Sequence, residues 1–86
     1  MTQYVATIRV RPKGEVRDPQ GEAVAGALRS LGMDVSDVRT GKEILVRFAA
    51  SDEAAALTAV NRMGDDLLAN PVIEEFVVQV VPAANE

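Results

Sequence analysis

Leu67-Leu68-Ala69-Asn70-Pro71-Val72-Ile73-Glu74 and, about fifty residues earlier, Asp18-Pro19-Gln20-Gly21 are the two stretches whose reading decides the fold. In the first, a helical period runs out at Asn70. Pro71 cannot continue a helix, and a β-branched run begins at once. In the second, Asp18 is placed to cap a helix whose first residue is Pro19, where a missing N–H costs nothing because it would have had no intrahelical partner. The chain therefore passes from helix to strand near Asn70 and from loop to helix at Asp18.

Working outward, Gln3 to Arg11 alternates, with Tyr4, Ala6, Ile8 and Val10 on one face and Val5, Thr7, Arg9 and Arg11 on the other; period two predicts a half-buried strand. After the Pro12-Lys13-Gly14 break, Val24, Ala27, Leu28 and Leu31 recur at helical spacing, and Gly32 stands where a left-handed cap ends a helix running from about Pro19 to Leu31. A second strand is predicted from about Val35 to Thr40, with a bulge near Ser36-Asp37 because Val35 and Val38 cannot share a face. Gly41-Lys42 then reads as a hairpin turn into a third strand carrying Ile44, Val46 and Phe48. Ser51 is placed to cap a second helix with an inward stripe of Leu57, Val60, Gly64, Leu67 and Leu68, and Val72 to Val81 is the last strand. The order βαββαβ predicts an α+β, two-layer, ferredoxin-like sandwich with a four-stranded antiparallel sheet. Residues 1–82 form one domain, with a loose tail at 83–86.

Eighty-six residues build only a modest core, burying about 60–65% of the surface that the unfolded chain exposes. The chain has no Cys and no His, so disulfides, thiolate metal sites and the commonest general base are excluded. Association is the remaining way to supplement such a core. A net charge of −4 and only three aromatic residues, Tyr4, Phe48 and Phe76, argue against nucleic acid. The amino terminus has no secretory pattern and no apolar run approaches a membrane span, which places the chain in the cytoplasm.

The residues offer little chemistry. Glu74 and Glu75 are neighbours in a strand and so point to opposite faces, and Asp65 and Asp66 belong to a solvated helix face. The glycines form no phosphate-cradling motif. Arg9, Arg11, Lys13, Arg17, Arg39, Lys42 and Arg47 concentrate basic charge in the first part of the chain, either as a solvated rim or as a site for an anion or acidic partner. Acylphosphatases share the strand order and bind phosphate with the loop after the first strand. Here residues 12–17 offer one guanidinium, Arg17, beside the competing Glu15. On the sheet face away from the helices lie Val5, Thr7, Leu45, Ile73, Val77 and Val81, too apolar a set for a wetted face, and these are the candidate interface.

Four pieces, taken in order, resemble one family from about Tyr4 to Val80: Lys13-Gly14 to Asp18-Pro19-Gln20-Gly21, Ala27-Leu28-Arg29-Ser30-Leu31-Gly32, Val38-Arg39-Thr40-Gly41-Lys42, and Leu67 to Glu74. That family is PurS, the small subunit of phosphoribosylformylglycinamidine (FGAM) synthase. The chain departs from it in an Ala-rich second helix and after Val80. The matching motif positions are Asp18, Pro19, Gly21, Arg39, Gly41, Lys42, Asn70, Pro71 and Glu74. The resemblance implies a non-catalytic accessory subunit, with no cofactor of its own, that self-associates as a dimer or tetramer. It further implies that the subunit bridges a glutaminase (PurQ) and a synthetase (PurL) in an ATP-dependent, glutamine-hydrolysing C–N ligase of purine (IMP) biosynthesis, with ATP and Mg held by the synthetase. A different class stays open beside it: regulatory domains of the same strand order bind small molecules near the first strand-to-helix turn, where Gly14 and Gly21 lie.

Overall fold

β1 (Thr2–Pro12) is the central strand of a three-stranded antiparallel sheet, flanked by β2 (Lys42–Ala50) on one side and β3 (Glu74–Pro82) on the other. The structure is a computed structural model that describes residues 1–83, so most of the expected tail at 83–86 lies outside the described residues. The register pairs Tyr4 with Phe48, Ile8 with Ile44, Ala6 with Val80 and Val10 with Phe76. Because side chains alternate along a strand, this register brings the even-numbered apolar residues of all three strands to one face. There Ala6, Ile8 and Val10 join Val60 and Ala69 in the core, with Val46, Phe76, Val78 and Val80 packed around them.

Three strands, not four, make this sheet. The residues expected to form an edge strand, Val35 to Thr40, join no ladder, and the expected Gly41-Lys42 hairpin is absent. Three backbone groups of this segment are committed elsewhere. Arg29 donates from Nε to the Val35 carbonyl (3.2 Å) and from Nη2 to that of Ser36 (3.3 Å), while the Thr40 N–H goes to Asp18 Oδ2 (2.6 Å). Backbone groups taken by side chains are withdrawn from a ladder with a neighbouring strand. The off-period spacing of Val35 and Val38, read above as a bulge, marks a non-strand.

α1 (Pro19–Ser30) begins as expected, with Pro19 first and the Asp18 carboxylate accepting from the Gly21 N–H (3.0 Å). It ends in a left-handed turn at Gly32 (φ 89°), where Gly32 N–H reaches the Arg29 carbonyl and Met33 N–H that of Leu28. Its apolar stripe, however, is not a core stripe. Only Gly21 and Ala25 are buried, Leu28 is half-buried, and Val24 and Leu31 are exposed, Leu31 at 73%. α1 leaves the sheet instead of lying on it. The Cα radius of gyration is 16.5 Å, against about 12 Å for a compact domain of this length; the overall extents are 51 × 30 × 14 Å.

α2 (Glu53–Met63) is capped by Asp52, not Ser51, through a bond from the Ala55 N–H (2.8 Å). It continues into a π-helical turn, Gly64–Leu68, in which Ala69 N–H reaches the Gly64 carbonyl (3.1 Å). The extra residue in that turn shifts the helical phase. Ala56, Val60 and Gly64 face the sheet, whereas Leu57, ahead of the turn, and Leu67, within it, were both expected inward and point out, Leu67 at 82% exposure. A Cβ at Gly64 would collide with the Phe76 ring, so only glycine lets the turn lie this close to β3. β3 starts at Glu74, two residues later than expected, because the Asn70 carbonyl accepts the N–H groups of both Ile73 (3.1 Å) and Glu74 (2.7 Å) in a turn.

Candidate interaction site

The two stretches that opened the sequence reading meet at one end of the sheet. Pro12 pairs with Glu74 across the β1–β3 ladder, and a small hollow there is lined by Pro12, Gln20, Thr40, Gly41, Lys42 and Glu74. Thr40, one of the lining residues, is held by Asp18, which is buried. Besides capping α1, this carboxylate accepts the Thr40 N–H and the Thr40 hydroxyl, whose Oγ1 lies 3.0 and 2.9 Å from the two carboxylate oxygens. Arg39 then donates from Nη2 to the carbonyls of Lys13 (2.9 Å) and Val16 (2.7 Å), closing the loop that precedes α1. Two glycines permit the approach. A Cβ at Gly21 would strike the Val38 carbonyl oxygen, and one at Gly41 would stand 2.6 Å from that of Val10.

Asp18, Pro19, Gly21, Arg39, Gly41 and Lys42 are thus drawn together, while Asn70 and Pro71 stand apart in their own turn. There the Asn70 carboxamide accepts the Val72 N–H (3.1 Å), and Glu74 reaches back to the Asn70 N–H (2.7 Å). Thr40 and Val38 complete the clamp and were missed as site residues. Their partner is some twenty positions away, and nothing local in the chain signals such a contact.

Bonds from the Thr40 N–H, then from that of Gly21, hold the Asp18 carboxyl below its ordinary range, against the opposing effect of burial. A carboxyl with a lowered folded pKa adds stability above its unfolded pKa of about 3.9 and loses it as pH falls through the folded value. Asp18→Asn is therefore expected to lower the urea midpoint at pH 6, with the gap to the parent chain narrowing as pH falls below about 4. A gap that stays constant with pH would show that the charge is irrelevant.

The loop after β1 is no anion cradle, because it turns the carbonyls of Lys13 and Val16 toward Arg39, and Arg17 is paired with Glu22 (2.9 Å). Gly21, which would line a regulatory pocket at this turn, is packed against the clamp instead. Arg9 pairs with Glu43 (3.1 Å) and Arg11 with Glu75 (3.0 Å), so much of the basic charge is a neutralised rim. Glu75 faces the open side of the sheet and Glu74 does not, as the alternation requires. Asp65 and Asp66 are exposed, with Asp66 paired to Arg62 (3.1 Å). Among the described residues, no cluster of acidic side chains could hold a metal ion, and no helix is long and apolar enough to cross a membrane.

On the sheet face that carries neither helix, Val5 is already covered, at 6% exposure. Thr7 is half-buried, while Leu45 (56%), Val77 (57%) and Val81 remain exposed, as does Ile73 in the turn before β3. The register sets Val5 beside Val81, Thr7 beside Leu45 and Arg9 beside Val77, so this surface is apolar at its middle with charged pairs toward one end.

The backbone fold built by these elements is shared with small subunits of a purine-biosynthesis amidotransferase. Methanocaldococcus jannaschii PurS, one of the subunits of formylglycinamide ribonucleotide amidotransferase, superposes with a TM-score of 0.79 at 34% identity, covering 91% of this chain and 95% of that one. The PurS chain in the Thermotoga maritima PurLQS structure superposes at 0.86, with 34% identity over 94% of this chain and all of that one. The PurS subunit of Synechocystis sp. is 44% identical over 78 residues, which are 90% of this chain and 78% of the relative. The family model for PurS, phosphoribosylformylglycinamidine (FGAM) synthase, matches residues 5–82, and this chain belongs to the PurS family.

Proposed function

We propose that this subunit works as a non-catalytic bridge in FGAM synthase, joining a glutaminase and a synthetase so that ammonia released at one is consumed at the other. The observation that carries the reading is the similarity to PurS in the PurLQS assembly from T. maritima, over the full length of that PurS chain. The residues agree with it. The chain has no His or Cys, and its distinctive features are an uncovered apolar sheet face and a rigid corner. In this reading ATP and Mg bind the synthetase, the assembly is cytoplasmic, and this chain carries no cofactor. The test is co-elution with the glutaminase and synthetase subunits of the same organism. Failure of the three to associate in the presence of glutamine, ATP and Mg would overturn it. A large thermal shift with an amino acid or nucleotide alone would instead favour a small-molecule sensor.

The open face bearing Thr7, Leu45, Ile73, Val77 and Val81 is the proposed protein interface, Val5 being covered already in the single chain. Full burial of an aliphatic side chain is worth about 1.5–3 kcal/mol, so several together can offset the cost of association. Val77→Asp is expected to lower the mass of the assembled species in light scattering at micromolar concentration without loss of secondary structure, because Val77 is exposed in the single chain. An unchanged mass would remove this face from the interface.

A further inference from the structure

The ion pairs of the rim leave positive charge unspent in one place. A hollow of about 420 Å³ lies where the sheet meets the end of the 33–40 segment, with Arg9, Arg11, Arg39, Lys42, Glu43 and Val77 among its lining residues. It gathers four of the chain's nine basic residues and one of its thirteen acidic ones, on a molecule whose net charge is −4. The reversal of sign is local, and a concave site of one sign concentrates ligands of the other.

Arg9 and Arg11 meet Glu43 and Glu75 through Nε, at 3.1 and 3.0 Å, so their terminal nitrogens are not spent on these pairs. Both pairs are exposed and therefore weakly held, and an incoming carboxylate can share the guanidiniums. Arg39 gives Nη2 to the carbonyls of Lys13 and Val16, which do not cancel its charge, and the carboxylate that feels it, Asp18, is buried and committed to Thr40 and Gly21. The Lys42 ammonium has no partner among the described residues. Val77 pairs with Arg9 across the ladder and is 57% exposed, so the hollow opens onto the apolar middle of the uncovered face. A free inorganic anion gains nothing from Val77. A carboxylate carried on a peptide brings neighbours that cover it.

We infer that the hollow receives a carboxylate from an acidic segment of the larger synthase subunit that covers the open face, held by Lys42 and by the terminal nitrogens of Arg9 and Arg11. The inference rests on the bridging reading and adds to it the chemistry of the partner's docking segment. Leu45, Val77 and Val81 supply apolar area, which is poor at fixing orientation; charge of one sign at one end of the same face steers the encounter and sets its direction.

The test passes the chain and its variants over immobilised glutaminase and synthetase subunits, with glutamine, ATP and Mg present, at low and at raised sodium chloride. Lys42→Glu and Arg9→Gln are expected to slow association and weaken binding several-fold at low salt, the difference from the parent narrowing as salt screens it. Lys42→Arg should bind as the parent does. So should Arg62→Glu, which reverses a charge on the exposed side of α2. Circular dichroism confirms that each variant is folded. Parent-like binding by Lys42→Glu, an equal loss with Arg62→Glu, or a defect that salt does not narrow would each overturn the site. Competition by inorganic phosphate beyond that of chloride at equal ionic strength would overturn it too, by making the occupant a free anion. Binding of the parent to neither subunit would remove the bridging reading and the site together, whereas a parent complex indifferent to Lys42 removes the site alone.

Discussion

Glutamine-dependent amidine formation is expected to fall to background when the glutaminase and synthetase subunits are assayed without this chain, and to return when it is added back. The expectation follows from what the chain lacks as much as from its family. With no His or Cys it lacks the commonest general base and the most reactive nucleophile, and the contribution to turnover expected of it is organisation. Two active sites that share a reactive intermediate gain when it passes between them within one assembly, because a bimolecular encounter becomes an internal transfer and loss to water is suppressed. The measurement uses formylglycinamide ribonucleotide, glutamine, ATP and Mg with each subunit omitted in turn. Full turnover by the other two subunits alone would defeat the bridging role.

The largest single-residue loss of stability is expected at Ile8. It lies at 0% exposure on the central strand, opposite Ile44 and Val78 and in one cluster with Val10 and Val60. Removing a fully buried aliphatic side chain costs about 2–5 kcal/mol through lost transfer energy and the cavity left behind. A chain this long has roughly 4–13 kcal/mol in total. Ile8→Ala should therefore shift the urea midpoint strongly or leave the chain unfolded. The comparison must be made at fixed protein concentration, since association couples to stability. Val77→Ala, on the exposed side of β3, is the control and should move the midpoint little in chains kept apart by dilution. A cost below about 1 kcal/mol at Ile8 would contradict the placement of the core.

Much of the path from residues to elements was legible because it rests on local rules. Alternation in β1, the Asp18-Pro19 start of α1, its Gly32 stop and the break at Asn70-Pro71 each depend on neighbours within a few positions, and the structure has all of them. The errors share a cause as well. Val35 to Thr40 has enough β-branched character to look like a strand, but its fate depended on whether Asp18, Arg29 and Arg39 would take up polar groups that a ladder needs. Leu67 matched an α-helical period, yet a π-helical turn beginning at Gly64 changed the phase, while Leu57, ahead of that turn, sits at the edge of the stripe that buries Ala56 and Val60.

The candidate site divides in the same way. Motif positions from Asp18 to Lys42 were readable as a set through the family resemblance, but their joint role around one buried carboxylate was not. Thr40, the residue that completes the clamp, shows nothing in its own neighbourhood to mark it.

By itself the sequence determined the kinds of element, the parity that sends Ile8 inward and Val77 outward, the exclusion of thiol and imidazole chemistry, and membership of a family. These follow from covalent geometry, side-chain period and residue inventory, all of which act over short range. Only the tertiary structure decided that the sheet has three strands, that α1 stands away from it, and that Asp18 and Glu74 belong to one corner. Those outcomes turn on competition between distant partners for the same backbone groups and the same apolar surface. A ladder not formed by residues 35–40 and a helix not laid on β2 are results of that competition.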